Sequence, residues 1–164
     1  MVIDTIRKMD KLIIPPEFVF FGTRILVALL IGLIMGAERT LGNHSSGIKT
    51  FVFVSVGSCL FSSLSFYLKD IFPTSDPTRI LGQIISAVGF LGAGVIFHSN
   101  DKTVGLTTSA IILTLTSLGI MVGSGLFLIP VSAAVFLVVV IIFLRWFERI
   151  LTKKFGKFKT NQNE

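Results

Sequence analysis

Cysteine, tryptophan and tyrosine occur once each in these 164 residues, acidic residues nine times, and charged residues of either sign make up only 15%. Each scarcity closes a class of function. A lone Cys59 builds neither a disulfide framework nor a Cys-based metal site, and inside an apolar stretch it reads as a packing residue. The dispersed acids Glu17, Asp70 and Asp76 do not form an oxygen cage for calcium or magnesium, and His98 has no second His or Cys at ligand spacing. GxSxG, HExxH and Walker A elements are absent, so no nucleophile, base and orienting group assemble. The run Gly89-Phe90-Leu91-Gly92-Ala93-Gly94 superficially resembles a phosphate loop, but it lies in an apolar stretch with no preceding strand and no following Lys. The expectation is a protein with no metal, no cofactor and no catalytic set, hence not an enzyme.

What is abundant is apolar: 52% of residues are hydrophobic, with 16 Phe. A water-facing surface cannot be built from that composition. Hydrocarbon about 30 Å thick needs roughly 20 apolar residues in helix. Five runs meet that requirement, at 18–37, 50–68, 80–97, 104–123 and 125–144, and only the first holds a charge, Arg24. The reading is an all-α, polytopic transmembrane helix bundle with about five spans. Residues 1–17 form an extracytoplasmic segment, 18–145 the membrane domain and 146–164 a basic tail. The fourth run is rich in Thr and Ser and is separated from the fifth only by Gly123-Ser124-Gly125, so a four-helix alternative stays open. The first run is too long for a signal h-region and is read as retained.

Five spans put the termini on opposite faces. Arg7, Lys8, Lys11, Lys69 and Arg79 share the N-terminal face, whereas the other holds Arg39, Lys49, Lys102, Arg145, Arg149, Lys153, Lys154, Lys157 and Lys159. That excess predicts a cytoplasmic C-terminus and an N-terminus outside. The net charge of +6 is concentrated after the last run, which makes anionic lipid rather than nucleic acid its partner. Phe147, Leu151, Phe155 and Phe158 fall on one side of a continuing helix, with Arg145, Arg149 and Lys153 opposite. An interfacial amphipathic helix or a solvated tail fits that pattern. Val2, Ile6, Met9 and Ile13, ended by Pro15-Pro16, are a weaker version at the N-terminus.

Helices in lipid associate through small residues and interhelical hydrogen bonds. Ser55, Ser58, Ser62 and Ser65 recur at helical spacing in the second run, and Thr107, Ala110, Thr114 and Ser117 in the fourth. Gly82, Ser86, Gly89 and Ala93 make a small face on the third, with Arg79, Gln83 and Ser86 as a polar edge. Gly32 and Gly36 form a GxxxG pair that suits a homodimer. These stripes are packing faces or the lining of a narrow polar path. Intramembrane charge is functional by default, so Arg24 is expected to reach Asp76, where Asp76-Pro77 reads as an N-cap and first-turn proline. Glu38 and Arg39 end the first helix near Lys49, His98, Asp101 and Lys102.

These residues stand in a familiar order. Gly32-Leu33-Ile34-Met35-Gly36-Ala37-Glu38-Arg39 is similar to a GxxxGxER signature, and Ser46-Gly47-Ile48-Lys49-Thr50 to AGLRT. Asp76-Pro77-Thr78-Arg79-Ile80, Gln83 and then Gly89 through Gly92 and Gly94 to Ile96 resemble DPxRxxxQ followed by GFLGAG. Val104-Gly105-Leu106-Thr107-Thr108-Ser109-Ala110 looks like GLTTAA. Together, over roughly residues 22 to 122, they resemble the MgtC/SapB family of bacterial inner-membrane proteins. Leu113 replaces a common tryptophan, and Lys49 stands for the usual Arg, losing bidentate geometry. The soluble cytoplasmic domain of longer members is expected to be missing, so no role resting on it carries over. The resemblance implies adaptation to low magnesium, virulence in pathogens, and action on other membrane proteins, ATP synthase among them. A regulator working by helix contact, or a small transporter using the polar stripes of helices two to four, are the two readings.

Overall fold

The computed structural model of the protein describes residues 16–41, 47–99 and 102–160. The N-terminal amphipathic stretch, Ser46 and Asp101 lie outside them, as do the side chains of His98, Lys102 and the tail beyond Leu151. Five helices run in chain order: α1 (Pro16–Leu41), α2 (Ile48–Ile71), α3 (Pro77–Val95), α4 (Leu106–Gly123) and α5 (Leu128–Thr160). Each is long and apolar enough to cross a membrane, which settles the fourth span as a span. They alternate in direction. The α1–α2 connection therefore lies at the same end as the α3–α4 connection, here called the hairpin end, and Asp76 lies at the opposite end.

The helix termini follow local chemistry. Asp76 caps α3, its Oδ1 accepting from Thr78 N at 2.9 Å and from Thr78 Oγ1 at 2.7 Å, with Pro77 in the first turn. This starts α3 three residues before the apolar run predicted. It also ends early, because Phe97–Ser99 and Lys102–Val104 pair as an antiparallel hairpin, with Phe97 opposite Val104. The sequence reading took Phe97 and Val104 as helix. The aromatic Phe97 and the β-branched Thr103 and Val104 favour the pleated ladder instead. Gly105 then enters α4 at φ 94°, where any Cβ would collide with the Val95 carbonyl. α5 is one helix of 33 residues, about 50 Å at 1.5 Å per residue, so its last turns extend past hydrocarbon about 30 Å thick.

α2 is the hub. A Cβ on Gly32 would sit 2.7 Å from Val52 Cα, and one on Gly36 2.7 Å from Ile48 Cα, so the GxxxG pair seats α1 on α2. On its other side, a Cβ on Gly119 would lie 2.6 Å from the Ser55 carbonyl and one on Gly123 2.5 Å from that of Cys59, which brings α4 equally close. Ser65 Oγ donates to Pro77 O at 2.8 Å and ties in α3. Between these contacts lie Ala28, Ile31, Met35, Phe51, Ile112, Leu115 and Val122, all essentially without exposure. Ala134 joins α5 to this core, but most of that helix's Val, Phe and Leu side chains face outward.

Three expectations change here. Gly32 and Gly36 serve contact within the chain, so they are not a surface for a second copy. The small face of α4 is rotated: Thr107, Ala110 and Ser117 are exposed and Thr114 is half-buried, whereas Thr108, Leu115, Thr116 and Gly119 face inward. Thr114 Oγ1 donates to Ala110 O at 2.9 Å and Ser117 Oγ to Leu113 O at 3.1 Å, so both hydroxyls are satisfied by their own helix and tolerate the apolar side. On α3, Gly82, Ser86, Gly89 and Ala93 are exposed, and a Cβ on Gly82 or Gly89 would meet nothing within 4 Å. The packed side of α3 is Ile84, Val88 and Gly92.

Leucine at Gly36 would drive a side chain into the α2 backbone and is expected to cost about 1–3 kcal/mol, as overpacking does. The same change at Gly82 is expected to leave the thermal midpoint of the detergent-solubilised protein near wild type. Equal losses at both positions would contradict this packing.

Candidate functional site

Polar side chains gather in three places: along α2, at the Asp76 end, and at the hairpin end. On α2, Ser55, Ser58, Ser62 and Ser65 are all buried. Ser55 Oγ donates to Ala28 O at 2.8 Å, Ser58 to Val54 O at 2.8 Å, Ser62 to Ile120 O at 2.9 Å and Ser65 to Pro77 O at 2.8 Å. Three of the four therefore reach a neighbouring helix or its cap, and each hydroxyl proton is spent on a backbone carbonyl. The stripe read from the sequence is a set of interhelical clasps.

At the Asp76 end, Arg24 does not meet Asp76. Its Nη1 donates to Gly123 O at 2.6 Å and its guanidinium lies 3.7 Å from the Phe20 ring centroid. Gly123 ends α4, so this carbonyl is an orphan at the negative end of the helix dipole and a ready acceptor for a cation. Ser63 Oγ adds a longer bond to the same oxygen at 3.4 Å. Asp76 is exposed and committed to Thr78, whose hydroxyl and backbone N–H hold its carboxyl below the usual aspartate range, with Arg79 and Lys69 adding to the effect.

The hairpin end brings together two of the motif groups. Glu38 and Arg39 are 7% and 4% exposed although they close a helix at the membrane boundary. Glu38 Oε1 is ion-paired with Arg145 Nη2 of α5, and Arg39 Nη2 faces Thr108 Oγ1 of α4 at 3.5 Å. Glu38 Oε2 and Arg39 Nε are buried with no hydrogen-bond partner among the described residues. Thus α1, α4 and α5 converge on a small polar cluster that holds, among the described residues, one unused acceptor and one unused donor. Among the described residues no group of three His, Cys, Asp or Glu is placed to hold a metal.

The other motif residues are scattered. Lys49 and Thr50 are exposed at the start of α2, where Gly47 is the N-cap and a Cβ on it would press within 3.0 Å of Thr40 Oγ1. Gly92 admits Ser109 of α4, whose Oγ would be 2.5 Å from an added Cβ, whereas Gly89 and Gly94 face open space. Thr107 and Ser86 are exposed, while Arg79 and Gln83 stand on the rim of a cleft between α2 and α3. The sequence reading missed Arg145 as a site residue, counting it only as a flanking charge. It also missed the GxxxG spacing of Gly119 and Gly123, taking Gly123 only with Ser124 and Gly125 as the separation between the fourth and fifth runs.

The sequence model of the MgtC family matches residues 25–150. The chain belongs to the MgtC family. Protein SapB of Bacillus subtilis is 40% identical over 129 residues, covering 75% of this chain and 56% of its own length. The Escherichia coli K12 protein named "Putative magnesium transporter YhiD" is 36% identical over 122 residues, 71% of this chain and 56% of its own. Protein MgtC of Brucella abortus is 35% identical over 124 residues, 76% of this chain and 51% of its own. The chain thus spans just over half the length of these relatives. No solved structure matches it. Membership and five spans make it a multi-pass bacterial membrane protein. The family match takes in the Glu38, Arg39, Thr108 and Arg145 cluster whole.

Truncating Arg145 to Ala leaves Glu38 buried without its cation and is expected to destabilise the bundle by about 2 kcal/mol, the order expected when one partner of a half-buried pair is removed. Combining it with Glu38→Gln should cost less than the sum of the single changes, a non-additivity read from thermal unfolding of the four proteins. Because the Asp76 carboxyl is held below its ordinary value of 3.8 in the folded protein, its cap contributes stability above that value and loses it as pH falls below. Asp76→Asn is expected to flatten that part of the stability profile.

Proposed function

We propose that this MgtC-family protein is a regulator of other membrane proteins during adaptation to low magnesium or related stress, acting by helix contact rather than by carrying a solute. The single observation that carries the reading is the state of the α2 serines: all four hydroxyls are buried and each is used on a carbonyl. A pathway needs polar groups that face water or an ion, whereas on this face every hydroxyl is spent on a carbonyl, three of the four on a neighbouring helix. The link to magnesium comes from the family and from the Escherichia coli relative's name. The family resemblance offers ATP synthase as a partner to test. The excess of basic residues on one side supports an extracytoplasmic N-terminus and a cytoplasmic C-terminus in the inner membrane, with the tail against anionic lipid.

Transport is the second reading. It is favoured by the same relative's name and by Glu38 Oε2, a buried acceptor at the hairpin end that a passing cation or proton would find open. Liposomes carrying the purified chain separate the two. Regulation predicts magnesium flux no greater than in protein-free liposomes, together with a membrane protein recovered alongside the chain at low but not high magnesium. Flux that rises with protein content and falls in Glu38→Gln would establish transport instead.

A further inference from the structure

A cleft with a volume of about 690 Å³ lies between α2 and α3. Its walls are Phe53, Gly57 and Phe61 on one side and Ala87 and Leu91 on the other, and its only ionisable lining group is Arg79. The Ser58 hydroxyl on its floor is already donated to Val54 O and Ser55 O, so the interior presents hydrocarbon to hydrocarbon. Both walls belong to membrane-spanning helices, and Phe53, Phe61 and Leu91 are each more than half exposed.

We propose that this cleft seats one acyl chain of an anionic glycerophospholipid drawn from the leaflet at the Asp76 end, with the lipid phosphate on Arg79. Depth selects the occupant. From Arg79 to Leu91 the α3 wall is about 18 Å long at 1.5 Å per residue, close to one leaflet of a hydrocarbon core about 30 Å thick. The lining of the cleft on α3 ends at Leu91. A partner transmembrane helix would need a face across the full core, whereas an acyl chain needs only its own half. Charge selects the headgroup. Arg79 stands in the first turn of α3, at the Asp76 end of the span, and the one ion pair among the described residues, Glu38 with Arg145, does not involve it. The Asp76 carboxylate beside it is occupied by Thr78. A guanidinium offers a phosphate paired donors, and Gln83 one turn deeper adds an amide toward the ester region. The assignment holds under either reading of function.

The full chain in nanodiscs holding equal phosphatidylglycerol and phosphatidylcholine provides the test, with lipid retention read by native mass spectrometry. Wild type is expected to keep one phosphatidylglycerol. Arg79→Gln is expected to lower its preference over phosphatidylcholine about fivefold, the scale of one basic residue at an anionic surface. Gly57→Trp fills the cleft from a position where an added Cβ meets nothing within 4 Å, and it should abolish retention while helical circular dichroism stays unchanged. Ala87→Phe fills it from the other wall and decides the matter if the tryptophan variant misfolds. Retention unchanged by either filling, preference unchanged in Arg79→Gln, or no lipid kept by wild type would each overturn the proposal. So would a filled cleft that sheds a co-purifying protein while keeping the lipid.

Discussion

A hydroxyl or guanidinium inside hydrocarbon has no water to bond, so the chain must supply a partner for each one or leave it at a cost of several kcal/mol. α2 is built around that requirement. Its serines find acceptors in the carbonyls of α1 and α4 and in the first residue of α3, and its own carbonyls are approached by glycines of α4. Apolar burial gives little drive between helices already in lipid, so close backbone approach and these bonds decide which helix touches which. Arg24 obeys the same rule at the Asp76 end, where it supplies a donor to the orphan carbonyl that closes α4.

One consequence is an uneven bundle. α1, α2 and α4 are in close backbone contact through paired glycines, while α3 and α5 leave most of their side chains to the surroundings. The least buried spans, and with them the broadest surfaces able to meet a lipid or another membrane protein, are α3 and α5, held in place by the tight inner three. The buried Glu38 joins the two layers, since its partner Arg145 comes from α5, while Arg39 beside it faces Thr108 of α4 within the inner three. A contact made on α5 reaches this cluster through the Glu38–Arg145 ion pair.

Much of this was legible in the sequence, in proportion to how local the physics is. Run length found the five spans, because spanning hydrocarbon is a matter of counting residues. The Asp76-Pro77 start of α3 was legible because a cap involves neighbours in the chain. Facing was harder. The serine stripe of α2 points inward as read, but the Thr107, Ala110, Thr114 and Ser117 stripe of α4 points out, since a Ser or Thr that bonds its own helix has no need of a neighbour. Partners were least legible. Gly32 and Gly36 announce close approach but not to which helix, and Arg24 found a carbonyl that sequence reading does not weigh against a carboxylate. Arg145 joins Glu38 across 107 positions of chain, a distance no local pattern reports.

The proposed regulatory role requires that the polar face of α2 be closed by helix packing and carry no path for solute. Nature has placed a probe there: Cys59 is the chain's sole cysteine, is fully buried, and lies between Ser55 and Ser62 on that face. In intact membranes its thiol is predicted to resist both membrane-permeant and impermeant maleimides, and to react fully only after the bundle is unfolded in denaturing detergent. Rapid labelling of Cys59 in the native protein by the impermeant reagent would contradict the claim.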